Sequence, residues 1–424
     1  MTTSSTPSAT PSWIATPATG LQVNSVALSN DGNCCVAGTS NEFGSGQFAV
    51  VCYGSAGQLR WSAPVGGAAS TQGVFWVAAS ADGQFAAAGG ETSKTAGFLT
   101  AYRVADGVQV LDAALAYRVN QVVLSGDGSL LLAVFDDSVQ LYGYADGAYL
   151  LASTLNFSGS YCNSCALSPD GATAVVSCTI YSDSDSAAAA KTGASARTVA
   201  ASSGSTGQVI SLSITNRQLA VSGTWNSPVG VMRVAIAATG NYWGASLHDG
   251  SCVLFNPSSV TQPLWQYTPD VAHLSVAYGF AITQTSAGKV VLACGANLYA
   301  GSPAPVPAPP GGYLYVVESV AAGSGEAPQF CWGQTLTYSA NPGVSIDLEA
   351  QTVTATDGQP GDETPGHIVE SAGNFYLYDA ATGQQLWSYA TPVMNWPMQV
   401  TPDGARAFGG SDDGSVYFWG RPAL

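Results

Sequence analysis

One pattern recurs along the chain of 424 residues: an apolar segment, a short turn built around Asp-Gly, and a second apolar segment. Five copies are clear: VALSNDGNCCVAG from Val26, VAASADGQFAAAG from Val77, VVLSGDGSLLLAV from Val122, CALSPDGATAVVS from Cys165 and MQVTPDGARAFGG from Met398. Weaker copies begin at Val234, Ile282 and Ser345. Asp-Gly between alternating apolar residues is the strongest short-range signal of a β-hairpin. The pattern therefore predicts an all-β chain built from one repeated hairpin.

Each hairpin is followed by a third apolar segment that ends in an aromatic residue, such as FAVVCY or SVYFWG, and then by a fourth segment, such as QQLWSY. The turn Asp or its equivalent falls at positions 31, 82, 127, 170, 239, 287, 350 and 403. Four-stranded units repeated at about 40–50 residues are typical of β-propellers. We expect a single closed propeller of eight four-stranded blades over residues 12–424, or of seven if one weak copy is not a blade.

The two ends of the chain complement each other. The last unit ends at YFWGRPAL, one strand short, whereas SWIATP near the start matches a fourth strand such as QQLWSYATP. We therefore expect the N-terminal strand to complete the last blade, which removes an open sheet edge. Residues 1–11, rich in Ser, Thr and Pro, are expected to form a disordered leader.

Two of these motifs resemble known repeat families. LYDAATGQQLW, from Leu377 to Trp387, resembles the quinoprotein-type repeat, while LSPDG and VTPDG resemble the first hairpin of WD40-type repeats. The quinoprotein resemblance implies that a Trp docks between neighbouring blades. The chain departs from the WD40 pattern because it lacks the Gly-His and Trp-Asp pairs. It departs from quinoprotein dehydrogenases because Cys34 and Cys35 are expected on opposite faces of a strand, not in a vicinal disulfide. Since propellers host many functions, neither resemblance fixes one.

Composition limits the partners. The chain has 11 Lys and Arg against 27 Asp and Glu, a net charge of −16, so phosphate backbones and anionic headgroups find little counter-charge. No stretch approaches the roughly 18 apolar residues of a membrane span, and the N-terminus lacks a Sec signal. Most of the nine Cys lie in apolar strand-like runs. We expect no nucleic-acid partner, no membrane insertion and a cytoplasmic location, with export to the cell surface by another route left open.

The loops at one end of the expected propeller are longer and more irregular than those at the other. The Asp-Gly turns belong to one end, and the connections after the second and fourth strands belong to the opposite end. Three insertions follow second strands, at residues 181–207, 295–312 and 357–374. Long insertions confined to one face mark the usual binding face of a repeat protein.

A mixed set of amide and aromatic residues is expected at the mouth of the central channel, on that same face. It combines residues seven positions before the turn markers with two from a preceding loop: Asn24, Phe75, Tyr117, Arg118, Asn120, Asn163, Met232, Phe280 and Trp396. Such a set suits a small molecule or a peptide. The alternative is that these residues plug the channel and cap the first strands.

Candidates for chemistry are few. Arg233 and Asp347 fall in predicted first strands, where a charge needs a partner or channel water, and His273 lies in a loop beside them. The adjacent carboxylates Asp136-Asp137 and Asp412-Asp413 are candidate metal ligands, with solvated turns as the alternative. We expect no resident cofactor.

The sequence thus favours a non-enzymatic binding or scaffold protein whose loop face meets a protein, peptide or glycan. The alternatives are a hydrolase or lyase-like enzyme that uses Arg233, Asp347 and His273 at the funnel, and a quinoprotein-like cofactor binder. The sequence gives no indication of the oligomeric state.

Overall fold

A computed structural model describes residues 9–17, 19–180, 205–298, 311–319, 327–359, 362–364 and 367–420. Within these ranges every regular element is a β-strand. The first seventeen strands are β1 Trp13–Ala15, β2 Gln22–Leu28, β3 Cys35–Ser45, β4 Phe48–Tyr53, β5 Leu59–Val65, β6 Thr71–Ala79, β7 Phe85–Ser93, β8 Ala96–Arg103, β9 Gln109–Leu115, β10 Val119–Leu124, β11 Leu130–Phe135, β12 Ser138–Ala145, β13 Ala148–Asn156, β14 Tyr161–Leu167, β15 Thr173–Ile180, β16 Thr206–Thr215 and β17 Gln218–Ser227.

The remaining strands are β18 Val231–Ile236, β19 Trp243–Leu247, β20 Cys252–Phe255, β21 Trp265–Tyr267, β22 Leu274–Gln284, β23 Val290–Leu298, β24 Gly312–Ser319, β25 Gln329–Leu336, β26 Ser339–Ala340, β27 Ser345–Ile346, β28 Thr352–Gln359, β29 Asp362–Thr364, β30 His367–Val369, β31 Ala372–Asp379, β32 Gln385–Thr391, β33 Asn395–Val400, β34 Arg406–Ser411 and β35 Val416–Gly420.

Antiparallel sheets of four consecutive strands dominate the architecture. Sheets of this kind are β10–β13, β14–β17, β18–β21 and β22–β25. A larger sheet contains two such runs, β2–β5 and β6–β9, which are joined where the end of β3 pairs with β6. In a further sheet the first strand is split into β26 and β27, followed by β28, β31 and β32. We call each four-stranded run a unit. This all-β architecture is that expected of a propeller.

The last unit takes its fourth strand from the start of the chain, as the sequence predicted. β33, β34 and β35 are completed by β1, with Trp13 opposite Phe418 and Ala15 opposite Val416. The indole of Trp13 stacks on the ring of Phe418 at 5.1 Å between centroids. The edge of β35 is therefore covered.

The turn between the first and second strands has one recurring hydrogen-bond pattern. In the fourth copy, Ser168 Oγ donates to Asp170 Oδ1 at 2.6 Å and accepts from Thr173 N at 3.0 Å. Asp170 also accepts from Ala172 N, and the bonds from Ser168 and Ala172 lower the pKa of Asp170. The same hydroxyl-to-carboxylate bond is made by Ser29, Ser80, Ser125 and Thr401. A Ser or Thr two residues before the Asp is thus part of the hairpin motif.

The weak copy around position 350 differs from its expected register by one residue. Asp347 N donates to Thr352 O and Ala350 N donates to Asp347 O, the bonds that Ser29 and Gly32 make in the first copy. Glu349 therefore occupies the Asp position, and Ala350 occupies the Gly position with φ 51°. Asp347 lies in the turn after β27, not within a first strand as predicted. The Asp347 carboxylate accepts from Thr352 N, the hydrogen bond that a serine hydroxyl accepts in the other copies.

Tryptophans of fourth strands dock onto the following unit. Trp13 Nε1 donates to Ser55 O at 2.9 Å, in the turn between β4 and β5. Gly57 in that turn has φ +80°, and a Cβ there would lie 2.9 Å from the indole, so only glycine fits against the ring. The same arrangement recurs for Trp61 with Val104 and Gly107, and for Trp332 with Ala380 and Gly383.

The core lies between neighbouring units. One buried cluster combines Val36 and Val50 of unit β2–β5 with Val77 and Ala88 of unit β6–β9. Comparable clusters occupy the other junctions, including one that joins Val26 to Phe408 of the last unit. Because both faces of a sheet are apolar, no unit buries its own surface and each depends on its neighbours.

The adjacent cysteines behave as the sequence predicted. Cys34 packs in the cluster between the first two units, whereas Cys35 packs in the cluster shared with the last unit. They therefore point to opposite faces, and all nine cysteines are unpaired.

The three expected insertions each follow the second strand of a unit, and strands extend further into them than the sequence suggested. β16 begins at Thr206, β23 continues to Leu298, and β28 continues to Gln359. Residues 181–204 and 299–310 of the first two insertions lie outside the described residues. The third contains the two-stranded hairpin of β29 and β30.

Candidate functional site

The first strand of most units contains a β-bulge, a residue that is skipped in the pairing with the second strand. In five units a single residue is skipped: Asn24, Phe75, Asn120, Asn163 or Met232. These are five of the residues that the sequence placed at the channel mouth. A bulge redirects the side chain and increases the local twist, so one backbone feature sets the direction of all five.

Two of these asparagines connect neighbouring units. Asn120 Nδ2 donates to Cys162 O at 2.7 Å, and Asn163 Nδ2 donates to Val231 O at 3.0 Å. Each acceptor lies in the first strand of the next unit. Asn341, in the irregular segment between β26 and β27, donates in the same way to Asn395 O. These amide contacts agree with the alternative in which the asparagines cap the first strands.

Arg118, Asn120 and Phe75 are brought together with Tyr161 in a buried cluster. Arg118 Cζ lies 4.2 Å from the centroid of the Phe75 ring, and Arg118 Nε donates to Asn120 Oδ1 at 3.2 Å. Tyr161 donates its hydroxyl proton to the same Oδ1 at 2.8 Å. Tyr117, next to Arg118, is exposed. Arg118 is therefore held by its neighbours and is not presented to solvent.

The other expected mouth residues lie apart from this cluster. Met232 packs with Val276 and Tyr278, and Trp396 Nε1 donates to Asp412 Oδ1. Phe280 is not at a bulge, because it pairs with Cys294 and the skipped residues of β22 are Val276 and Tyr278. β22 is longer than the other first strands, so counting back from the turn misplaced the bulge by two residues.

Arg233, Asp347 and His273, the three residues suggested for catalysis, make no described contact with one another. The carboxylate of Asp347 accepts from the backbone of Glu349, Gln351 and Thr352 and from the Thr352 hydroxyl. The hydrogen-bonding capacity of the Asp347 carboxylate is therefore used within its own turn. His273 is exposed, with φ 63°, in the loop before β22. Of the three, Arg233 alone lines the cavity that lies among the described first strands.

The paired carboxylates take part in loop structure. Asp412 accepts from Trp396, and Asp413 accepts from Ser415 N at 2.7 Å and from the Tyr417 hydroxyl. Asp136 occupies a turn position with φ 47°. Among the described residues, no group of three or more His, Cys, Asp or Glu is placed to hold a metal ion. The described part of the chain therefore offers no ligand set for the calcium that a quinoprotein cofactor would require.

A cavity of about 440 Å³ lies among the first strands. Every unit contributes to its wall, which is mostly Ala, Val, Leu, Ile and Pro, and the wall extends to the turn residues Asn30 and Pro402. Three aromatic residues, Trp76, Tyr278 and Phe280, also line it. A cavity of this volume, with mostly aliphatic lining residues and with polar groups on its surface, has the dimensions of a small-molecule site.

Among the described residues that line this cavity, Arg233 is the only charged one. Its Cζ lies 4.6 Å from the centroid of the Trp76 ring, contributed by a unit that is not adjacent. Its Nε has no hydrogen-bond partner, and burial lowers the pKa of Arg233 to about 10. A guanidinium that remains charged in apolar surroundings is costly without a partner.

The sequence pointed to Arg233 and Phe280 but missed the other channel residues, Trp76, Gln121 and Tyr278. Trp76 and Gln121 come directly after the bulged residues Phe75 and Asn120, while Tyr278 is itself skipped in the pairing. In the sequence, these residues could be recognised only by their position in the first strand. A bulge shifts which positions of that strand face the cavity, so the count along the strand missed them.

No protein-family model matches the chain, and no curated protein matches its sequence. In the described part of the chain, no helix has the length and apolar character needed to span a membrane.

Proposed function

We propose that the protein is a non-enzymatic, eight-bladed β-propeller that binds a protein, peptide or glycan through the loop face. The proposal counts unit β2–β5 and unit β6–β9 as separate blades and the last unit as the eighth. It takes the blades to close into a ring.

Contacts between the last unit and unit β2–β5 support the ring. Leu28 N, in β2, donates to Gln399 Oε1, in β33, at 3.0 Å. Equivalent bonds link other neighbouring first strands, as from Val77 N to Ser25 Oγ and from Val234 N to Ser164 Oγ. The Trp docking contacts support a relationship to quinoprotein-type repeats. Unpaired, largely buried cysteines support a cytoplasmic location.

The observation that carries the binding proposal is the position of the insertions. All three follow the second strand of an antiparallel unit, so they leave the units at the same end. The turns between first and second strands, at the other end, are short, and five of them are stabilised by the Ser/Thr-to-Asp bond. Variable loops on a rigid repeat scaffold are the usual arrangement of a binding face.

Trimming the insertions tests this function. Residues 181–204, 299–310 and 360–369 are replaced by short Gly-Ser linkers, which leaves β15, β16, β23, β24, β28 and β31 intact. Affinity capture from the native lysate and a glycan array compare the trimmed and intact proteins. We expect the trimmed protein to lose the bound protein, peptide or glycan without losing thermal stability.

The matched control replaces residues 320–326, the connection between β24 and β25, which belongs to the turn end. This variant should bind as the intact chain does. Equal binding by the trimmed protein, or no specific binding by the intact protein, would contradict the proposal.

A further inference from the structure

Arg233 is placed in the wall of the channel without a counter-charge. The described lining contains no Asp or Glu. The ion pairs described elsewhere in the chain, Arg103–Asp106 and Lys289–Glu318, do not involve it. In a chain with net charge −16, a carboxylate partner would be easy to supply. The positive charge of Arg233 is instead left facing the cavity.

The Trp76 contact orients this charge but does not neutralise it. A cation over an aromatic face is attracted by the ring quadrupole, yet the face of the ring accepts no N–H bond in the guanidinium plane. The donors at the edge of the guanidinium thus stay available, and this edge is the part that binds a carboxylate with two parallel bonds.

We propose that the channel binds a small organic monocarboxylate, with its carboxylate on Arg233 and its apolar body against the channel wall. One guanidinium balances one negative charge, whereas a phosphate dianion would need further cations that the described lining lacks. Trp76, Tyr278 and Phe280, with the neighbouring aliphatic side chains, provide apolar surface against which the body of the ligand can pack. The site is distinct from the loop face of the proposed function.

The ligand would enter from the turn end. The cavity wall includes Asn30, Thr401 and Pro402, which belong to the turns after β2 and β33. At the level of the bulges, by contrast, the amides of Asn120 and Asn163 bond across to the next first strand. Trimming the insertions on the loop face should therefore leave this site unchanged, so the two proposals can fail separately.

Matched neutral and charged probes test the proposal. Binding of benzoate and phenylacetate to the full chain is measured by calorimetry and by saturation-transfer NMR, beside benzamide and phenylacetamide of the same shape. We expect each carboxylate to bind roughly tenfold or more tightly than its amide, because only the carboxylate makes charge-assisted bonds. Equal affinities, no binding of either carboxylate, or tighter binding of inorganic phosphate would overturn the assignment.

Variants locate the binding. Arg233→Met keeps the length of the side chain and removes the charge, so it should abolish the preference for carboxylates. Arg233→Lys should retain a weakened preference, since the ammonium lacks the planar pair of donors. Thermal unfolding checks that both variants fold. If Arg233→Met is folded and still prefers benzoate over benzamide, the site lies elsewhere and the proposal is wrong.

Discussion

Glu91 is a fully buried carboxylate at the end of β7, and neither of its oxygens has a hydrogen-bond partner. Burial raises the pKa of Glu91 above its ordinary value of 4.5, and the charges of Arg118 and Lys94 offset only part of this effect. The folded protein therefore holds this proton more tightly than the unfolded chain does. The stabilisation is present below pH 4.5 and is lost as the pH rises through the folded pKa.

Glu91→Gln should therefore raise the thermal midpoint at pH 8 and have less effect near pH 4.5. The amide stays neutral throughout, so the cost of burying the charge disappears. Thermal unfolding across this pH range checks the prediction. Glu370→Gln, at an exposed position, is the matched control and should change neither midpoint. A lower midpoint for Glu91→Gln at pH 8 would show that the attraction of Arg118 outweighs burial.

At the scale of the strand and turn, the hairpins of five units share a Ser or Thr that begins the turn and bonds to its Asp. Ser168 is buried, and its hydroxyl satisfies both Asp170 Oδ1 and the Thr173 N–H. Thr401 makes the same pair of bonds with Asp403 and Arg406 N. In these five turns the hydroxyl makes both bonds, and the extra methyl group of threonine is accepted.

Ser168→Ala should destabilise the protein by about 1–2 kcal/mol, because the partly buried Thr173 N–H and the Asp170 carboxylate each lose a partner. Ser168→Thr should cost much less, as Thr401 shows that threonine makes the same bonds. The midpoints of thermal unfolding of the two variants distinguish these outcomes. Similar losses for both would mean that packing, and not the hydroxyl, is what matters there.

The hairpins could be predicted from sequence because their signal is local. The Asp-Gly turns at Asp31, Asp82 and Asp170 can each be recognised from a few consecutive residues. The bulges could not be predicted, since residues as different as Asn120, Phe75 and Met232 occupy the same backbone position and share no side-chain pattern. For the same reason the channel lining around Trp76 and Tyr278 was missed. Where the Asp-Gly pattern is absent, as at Asp347, even the register of the turn was misplaced.

At the scale of the whole molecule, the pairing of β1 with β35 could be predicted because two incomplete patterns matched. Trp13 carries much of this junction, since its ring stacks on Phe418 and its Nε1 donates to Ser55 O of the next unit. Ile14, the next residue in the strand, points the other way and is 51% exposed. Variants at the two positions therefore distinguish the contribution of docking from the contribution of strand pairing.

Trp13→Ala should lower stability by roughly 3 kcal/mol, in the range for removing a large packed aromatic side chain. Ile14→Ala, in the same strand, should cost only a few tenths of a kcal/mol. Differential scanning calorimetry of the two variants checks this. Equally small losses for both would indicate that β1 contributes little to holding the last unit against unit β2–β5.

The junction also affects the order in which the molecule can assemble. Residues Trp13–Ala15 and Val416–Gly420 are separated by almost the whole chain, so their pairing has the largest sequence separation of any strand pair described. During synthesis the sheets between these two segments can form as they leave the ribosome, but Trp13 has no strand to pair with until Val416–Gly420 has been made. Strand β1 is therefore synthesised long before the strand that it pairs with.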